Sequence, residues 1–299
     1  MHFADRLAAA VERCGNPVML GIDPHLELLP EPFALARNPA APRAERASVV
    51  ADFCCELLEL AAGRVPIVKP QSAFFEQLGA DGVAAFERVV DRARELGMLV
   101  CGDVKRGDIA STAAAYARAH LAPEGVDAAG RCDAITLSPY LGPDSLEPFI
   151  EAADAADGGL FVLVRTSNPG GTAWQTPGAP SIAERVASQL TDWGASRLGE
   201  SGLSNLGAVV GATHREELAV WRERLPHAWL LLPGFGAQGA TAEDVAGAFR
   251  PDGLGALIAS SRGIAFAHRK ASGSVDWRDA ASRALDEMIA ALESVRLRD

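Results

Sequence analysis

The chain has 299 residues, 48% of them hydrophobic, and a formal net charge of −11. That apolar fraction excludes a disordered chain, and the length admits either two ordinary domains or one large α/β barrel. The acidic balance argues against an extended nucleic-acid or anionic-membrane surface, so an anionic ligand must be met by a few placed cations and backbone N–H groups.

The opening stretch MHFADRLAAAVERCG mixes acids and bases and holds no apolar signal core. No segment approaches the roughly 20 apolar residues needed to span a bilayer. Cys14, Cys54, Cys55, Cys101 and Cys132 are odd in number, lie in apolar runs and form no CxxC pair, so they read as reduced core residues of a cytoplasmic protein.

A helix is expected over Phe3–Cys14. After it, a β-rich apolar run followed by an amphipathic helical pattern recurs eight times. The runs are Val18–Asp23, Pro66–Gln71, Met98–Lys105, Ala134–Tyr140, Leu160–Ser167, Leu206–Ala212, Trp229–Phe235 and Gly255–Arg262. The helical stretches are Pro42–Ala62, Asp81–Leu96, Ser111–Ala119, Pro143–Ala155, Ile182–Leu198, Arg215–Leu225, Ala242–Phe249 and Asp276–Val295. Eight such units predict parallel strands in one closed (β/α)8 TIM barrel with an extra N-terminal helix, a single domain over residues 1–299. Two insertions, Pro24–Pro42 and Asn168–Pro180, follow strands and so fall on the C-terminal face, where barrel active sites are built.

Polar residues interrupt the apolar runs at strand ends: Asp23, Lys69, Asp103 with Lys105, Ser167 and Arg262. Only three of the basic residues are lysines, Lys69, Lys105 and Lys270, and two of them stand at these ends. Residues two apart on a strand share a face, so Asp103 and Lys105 project together toward the mouth, with Asp108 on the loop beyond. Each has an ordinary reading: an Asp at a strand end often caps the next helix, above all Asp108, and an Asp–Lys pair is by default a satisfied ion pair. Four charges of alternating sign around one mouth outweigh it. The loops after strands seven and eight are frequent phosphate sites in barrels. Here they offer Gly234, Gly236, Gln238, Gly239, Arg262 and Gly263, glycines for close backbone approach and an arginine for bidentate contact.

The segment Asp103-Val-Lys105-Arg-Gly-Asp108-Ile109 resembles the D-x-K-x-x-D signature of orotidine 5′-phosphate decarboxylases, in a longer bacterial subgroup. Gly21-Ile-Asp23-Pro, Val68-Lys69-Pro-Gln, Thr166-Ser167-Asn-Pro-Gly, Pro233-Gly-Phe-Gly-Ala-Gln238-Gly and Ser261-Arg262-Gly263-Ile agree with it in order and strand position. The resemblance implies a cofactor-free, metal-free conversion of orotidine 5′-monophosphate to uridine 5′-monophosphate and carbon dioxide. It implies that Lys105, Asp103 and Asp108 are catalytic and that Asp23 and Lys69 bind ribose hydroxyls. Ser167 would bond the pyrimidine edge, Gln238 would bridge phosphate and base, and Ile109 and Pro233 would wall the base, although ordinary packing explains those two equally well. Thr112 and Asp108 would come from the partner in a homodimer with shared sites.

No thiamine, pyridoxal or metal motif is visible, so a carbanion must be met by preorganised charge. A lysine ammonium can both stabilise and protonate it, which arginine does poorly. His25 and His120 lack partners at metal-ligand spacing. The Gly234-x-Gly236-x-x-Gly239 match lies in a barrel unit, not a dinucleotide domain, and Thr166-Ser167-Asn168 lacks a nucleophile-elbow setting. The remaining alternatives are another sugar-phosphate barrel of the same superfamily, including a magnesium-dependent or Schiff-base enzyme, and a catalytically dead nucleotide-binding barrel.

Overall fold

The computed structural model describes residues 1–121, 129–212, 215–236, 240–270 and 275–296. Its frame is α1 (Phe3–Cys14), β1 (Val18–Ile22), α2 (Arg43–Ala61), β2 (Ile67–Pro70), α3 (Ala73–Glu76), α4 (Gly79–Glu95) and β3 (Leu99–Arg106). There follow α5 (Ala110–His120), β4 (Ala134–Leu137), α6 (Glu147–Ala155), β5 (Gly159–Arg165), α7 (Gly171–Gln175) and α8 (Ile182–Gly194). The last third holds β6 (Leu206–Val210), α9 (Arg215–Arg224), β7 (Leu230–Pro233), α10 (Ala242–Val245), β8 (Ala256–Ser260), α11 (Arg262–Ala265) and α12 (Trp277–Arg296). The eight strands pair in sequence order, all parallel, and β1 closes on β8.

The expected strands are all present, but most stop earlier than their apolar runs. Asp23, Gln71 and Ser167 belong to the loops, because polar side chains at the mouth have no sheet face to fill. The helix expected over Ala242–Phe249 is α10 followed by a 3-10 turn, Ala246–Ala248, and a turn Pro143–Ser145 precedes α6. The Asn168–Pro180 insertion contains α7, and a capping box starts α8: Ser181 Oγ accepts from Glu184 N at 3.2 Å while the Glu184 carboxylate accepts from Ser181 N at 2.7 Å.

Two apolar clusters follow from strand alternation. One fills the layer between strands and helices; the other lies inside the barrel and includes Met19, Ile67, Cys101, Ala134, Phe161, Val209, Trp229 and Leu257. Helix α1 joins the inner cluster through Phe3, Leu7 and Val11. The Phe3 ring meets Phe161 edge-on at 6.3 Å, and Gly159 leaves the room: a Cβ there would lie 2.2 Å from the Phe3 ring. Arg6 pairs with Asp133 at 2.5 Å, and Asp5 accepts from the backbone of Glu200 (3.0 Å) and Ser201 (2.8 Å). The extra helix is therefore a floor for the barrel, a role its sequence did not announce. Four of the five free cysteines are buried and Cys14 is half-buried.

Candidate active site

The same alternation that puts Ile67, Cys101 and Ala134 inside the barrel puts Lys69, Asp103 and Thr136 inside it one step nearer the mouth. All three are buried. Asp103 is their centre. Its Oδ2 accepts from Lys69 Nζ and from Gln71 Nε2 at 2.9 Å; its Oδ1 accepts from Lys105 Nζ at 2.5 Å and Thr136 Oγ1 at 2.9 Å. Four donors fill the four acceptor sites of an ionised carboxylate.

The electrostatics follow from this packing. Burial alone would raise the Asp103 carboxyl, but Lys69 and Lys105 outweigh it and hold it well below the usual carboxylate range. Burial likewise opposes the Lys69 ammonium, and Asp103 with Asp23 outweighs it and holds Lys69 above the ordinary lysine value. Both groups are therefore charged at neutral pH. Lys105 is different: its side chain is 46% exposed, so its ammonium reaches from the buried anion into the open mouth. Its backbone has φ +42°, and Ala110 beyond it has φ +47°, two left-handed non-glycine residues around the loop that carries Asp108.

A cleft of about 130 Å3 opens beside this group, lined by Gly21, Asp23, Lys69, Pro233, Gly234, Phe235, Ala259, Ser260, Ser261 and Arg262. Strand-end residues of β1, β2, β7 and β8 thus converge, as expected of Asp23, Lys69, Pro233, Gly234 and Arg262. Gly21 permits the closure of β1 on β8, since a Cβ there would lie 2.7 Å from that of Ser261. Gly234 (φ +105°) and Gly236 (φ +67°) hold conformations that disfavour side chains, and Gly263 sits in the first turn of α11 beside Arg262. Arg262 is exposed. Asp23 Oδ1 and Ser261 Oγ are buried with no hydrogen-bond partner among the described residues. Buried polar atoms are almost always satisfied, so two orphans at one cleft mark it for a hydroxyl- or oxygen-rich ligand. Gln238 and Gly239 lie outside the described residues.

Ser167 is half-buried on the loop after β5, pressed against Gly211, where a Cβ would lie 2.9 Å from its backbone. Gln175 of α7 braces the neighbouring Thr166, accepting from its N–H at 2.9 Å and donating to its hydroxyl at 2.8 Å. The insertion thus folds back on the end of β5.

Asp108, Ile109 and Thr112 are not brought to this cleft. Asp108 accepts from the N–H of Ile109 at 2.8 Å, and the N-cap of α5 is Ile109, so Asp108 is not the cap of that helix. Ile109 is 54% exposed and Thr112 is also exposed. A larger groove on the outer wall, lined by Cys55, Glu59, Arg88 and Arg92 between α2 and α4, holds ion pairs such as Arg92–Glu59 and lies away from the strand ends. Sequence reasoning missed Gln71 and Thr136. Gln71 stood unassigned inside the Lys69-Pro-Gln segment; Thr136 gave no signal beyond being the polar residue of β4.

A model of the Orotidine 5'-phosphate decarboxylase / HUMPS family matches residues 16–273. A Rhodopirellula baltica protein named orotidine 5'-phosphate decarboxylase is 46% identical over 297 residues, 96% of this chain and 98% of its own. A solved chain from Streptomyces avermitilis superimposes with a TM-score of 0.82 at 36% identity, covering 99% of this chain and 96% of that one. The structure of Leishmania donovani OMP decarboxylase gives a TM-score of 0.76 at 32% identity and covers 100% of both chains.

Proposed function

Because the chain belongs to the orotidine 5'-phosphate decarboxylase / HUMPS family, we propose that it converts orotidine 5′-monophosphate to uridine 5′-monophosphate and carbon dioxide, in pyrimidine biosynthesis, as a single barrel domain in the cytoplasm. The observation that carries this reading is the buried Asp103 carboxylate clamped between two ammonium groups, one of which, Lys105, faces the open mouth.

The phosphate is held by Arg262 with backbone groups around Gly234, Gly236 and Gly263, joined by Gln238. Asp23 and Lys69 take the ribose hydroxyls, Ser167 takes the pyrimidine edge, and Pro233 walls the base. When the bond from C6 to the carboxylate breaks, its electron pair stays on C6. The Lys105 ammonium stabilises that pair and then gives C6 its proton, so no separate electron sink is required. Asp103 orients the Lys105 ammonium before the reaction and, as an anion near the departing carboxylate, disfavours the bound ground state. Phosphate contacts remote from C6 supply binding energy for ordering the site.

Asp108, Ile109 and Thr112 serve the site of a second copy in a twofold dimer. Ile109 and Thr112 are exposed at the start of α5, Asp108 stands on the loop just before it, and all three lie away from their own cleft, which supports this. So do the bare apolar side chains after neighbouring strands: Tyr140 (79% exposed), Leu141 (50%) and Trp174 (67%), with the Tyr140 and Trp174 rings 6.5 Å apart.

The direct test is loss of orotidine monophosphate absorbance with and without a chelator. Turnover indifferent to the chelator is expected; no turnover overturns the reading, and chelator-sensitive turnover points to a metal-dependent relative. Lys69 beside Asp103 argues against the latter, since an ammonium occupies the carboxylate that a divalent cation would need. For the dimer, Lys105→Ala and Asp108→Ala subunits are each nearly inactive alone. After verified exchange, about a quarter of all sites regain activity, as random pairing into twofold dimers requires. A mixture that stays dead places Asp108 within its own subunit.

A further inference from the structure

Between β3 and β4 the ladder pairs Gly102 with Ile135 and next pairs Arg106 with Leu137, so β3 advances four residues while β4 advances two. Asp103, Val104 and Lys105 absorb the surplus as a bulge, and bulges re-aim side chains at the cost of ladder hydrogen bonds. Here the Lys105 N–H donates to a side chain of β4, the Oγ1 of Thr136, at 3.0 Å. That hydroxyl in turn donates to Asp103 Oδ1 at 2.9 Å, and Lys105 Nζ meets the same Oδ1 at 2.5 Å. One hydroxyl therefore closes a ring that runs from the Lys105 backbone through Thr136 and Asp103 to the Lys105 ammonium. Lys105 occupies the left-handed region, φ +42°, a conformation that persists only where the surroundings impose it. Thr136 is 1% exposed, and a threonine chosen only for strand propensity or packing would be replaceable by valine.

We propose that Thr136 is a positioning residue for Lys105: by bonding both the strained backbone N–H and the Asp103 carboxylate, it fixes where the ammonium stands over the reacting carbon. This rests on the decarboxylase reading. The residue touches no reacting atom, so its effect is on geometry, and misplacing a reacting group by about 1 Å can cost roughly 100-fold in rate.

The test compares Thr136→Val, which keeps shape and loses the hydroxyl, with Thr136→Ser, which keeps the hydroxyl. The valine variant is expected to lose about 10- to 100-fold in kcat, with KM for orotidine monophosphate and Kd for uridine monophosphate little changed and a cooperative unfolding transition retained. The serine variant recovers most of the loss. Wild-type kcat in the valine variant overturns the proposal, as does a parallel loss of kcat, ligand affinity and Tm that serine fails to rescue. If the wild-type protein does not turn over orotidine monophosphate, the decarboxylase reading fails separately, and crystal structures of the two variants decide the tether. Lys105 leaving its left-handed φ in the valine variant and keeping it in the serine variant supports the proposal; an unchanged Lys105 in both overturns it.

Discussion

The floor and the mouth of this barrel are built from the same strands, two residues apart, and solve opposite problems. At the floor Ile67, Cys101, Ala134 and Phe161 meet Phe3, Leu7 and Val11 of α1 in an apolar plug. The charges there, Arg6–Asp133 and the Asp5 contacts, lie around the plug and pin the helix in place. At the mouth, Lys69 and Asp103 are nearly as buried as the floor residues, but as ions. Burying charge costs more than it returns unless every partner is present, so this end is held together by complete pairing and not by apolar area. One end is spent on stability and the other on a preset field, and substitutions should separate them.

The largest separation is expected at Lys105. Lys105→Ala should lower turnover of orotidine monophosphate by at least about 1,000-fold, the scale of losing a key charge-stabilising group. Its melting temperature should fall far less in proportion, because the half-exposed side chain leaves room for water to take its place on Asp103; Lys105→Arg should recover little turnover. Wild-type-like turnover in either variant contradicts the role. Phe3→Ala is the mirror case. Removing a fully buried ring from the floor should cost about 3–5 kcal/mol in denaturant unfolding while kcat of the folded fraction stays near wild type. A large kcat loss there would show that floor and mouth are coupled.

Smaller effects sharpen the contrast within the mouth. Arg262→Ala should lose about 10- to 100-fold in kcat/KM, the scale of a charge-assisted contact, mainly through KM. A substrate lacking phosphate should react equally with variant and wild type; a matching loss there would make Arg262 structural. The smallest effect belongs to neither end. His120 is pushed from 6.5 down to about 4, by burial first and by Arg106 second, with Glu76 opposing. The unfolded chain then takes a proton near 6.5 and the folded one only near 4, so stability falls as pH drops through that window. Asp103 acts differently. Its pKa is depressed, so its contribution is present above the ordinary aspartate value and is lost only further down. Lys69 is raised, so its contribution is fully present below the ordinary lysine value. His120→Gln should therefore flatten the stability slope between about pH 4 and 6.5; an unchanged slope assigns it to other groups.

The barrel was legible because hydrophobic period and unit length repeat eight times, and the cleft residues because a polar side chain ending an apolar run has few other reasons to be there. Gly234 and Gly236 were legible as glycines after the seventh strand that let backbone approach an anion closely; their positive φ was not read from the sequence. The β3 bulge was not. Simple alternation puts Asp103 and Lys105 on one face, and they do meet, but through a left-handed Lys105 that no propensity scale foretells. Thr136 escaped notice because threonine is common in strands, and its use depends on a register shift between two strands far apart in sequence. The floor role of α1 was hidden for a similar reason: an amphipathic pattern shows that a face is buried, not against what.

The full valence of Asp103 has a consequence for how such a site can change over time. Lys69, Gln71, Lys105 and Thr136 each hold one of its lone-pair positions, so replacing one alters the environment of the other three. Substitutions among the five should be strongly epistatic, with double variants departing from the sum of single ones as contacting groups do. Drift at any one of them meets selection from all, and the quintet is inherited as one character. A designer moving this chemistry to another barrel must transplant the five residues and the bulge together, because a partial graft leaves a buried carboxylate short of donors.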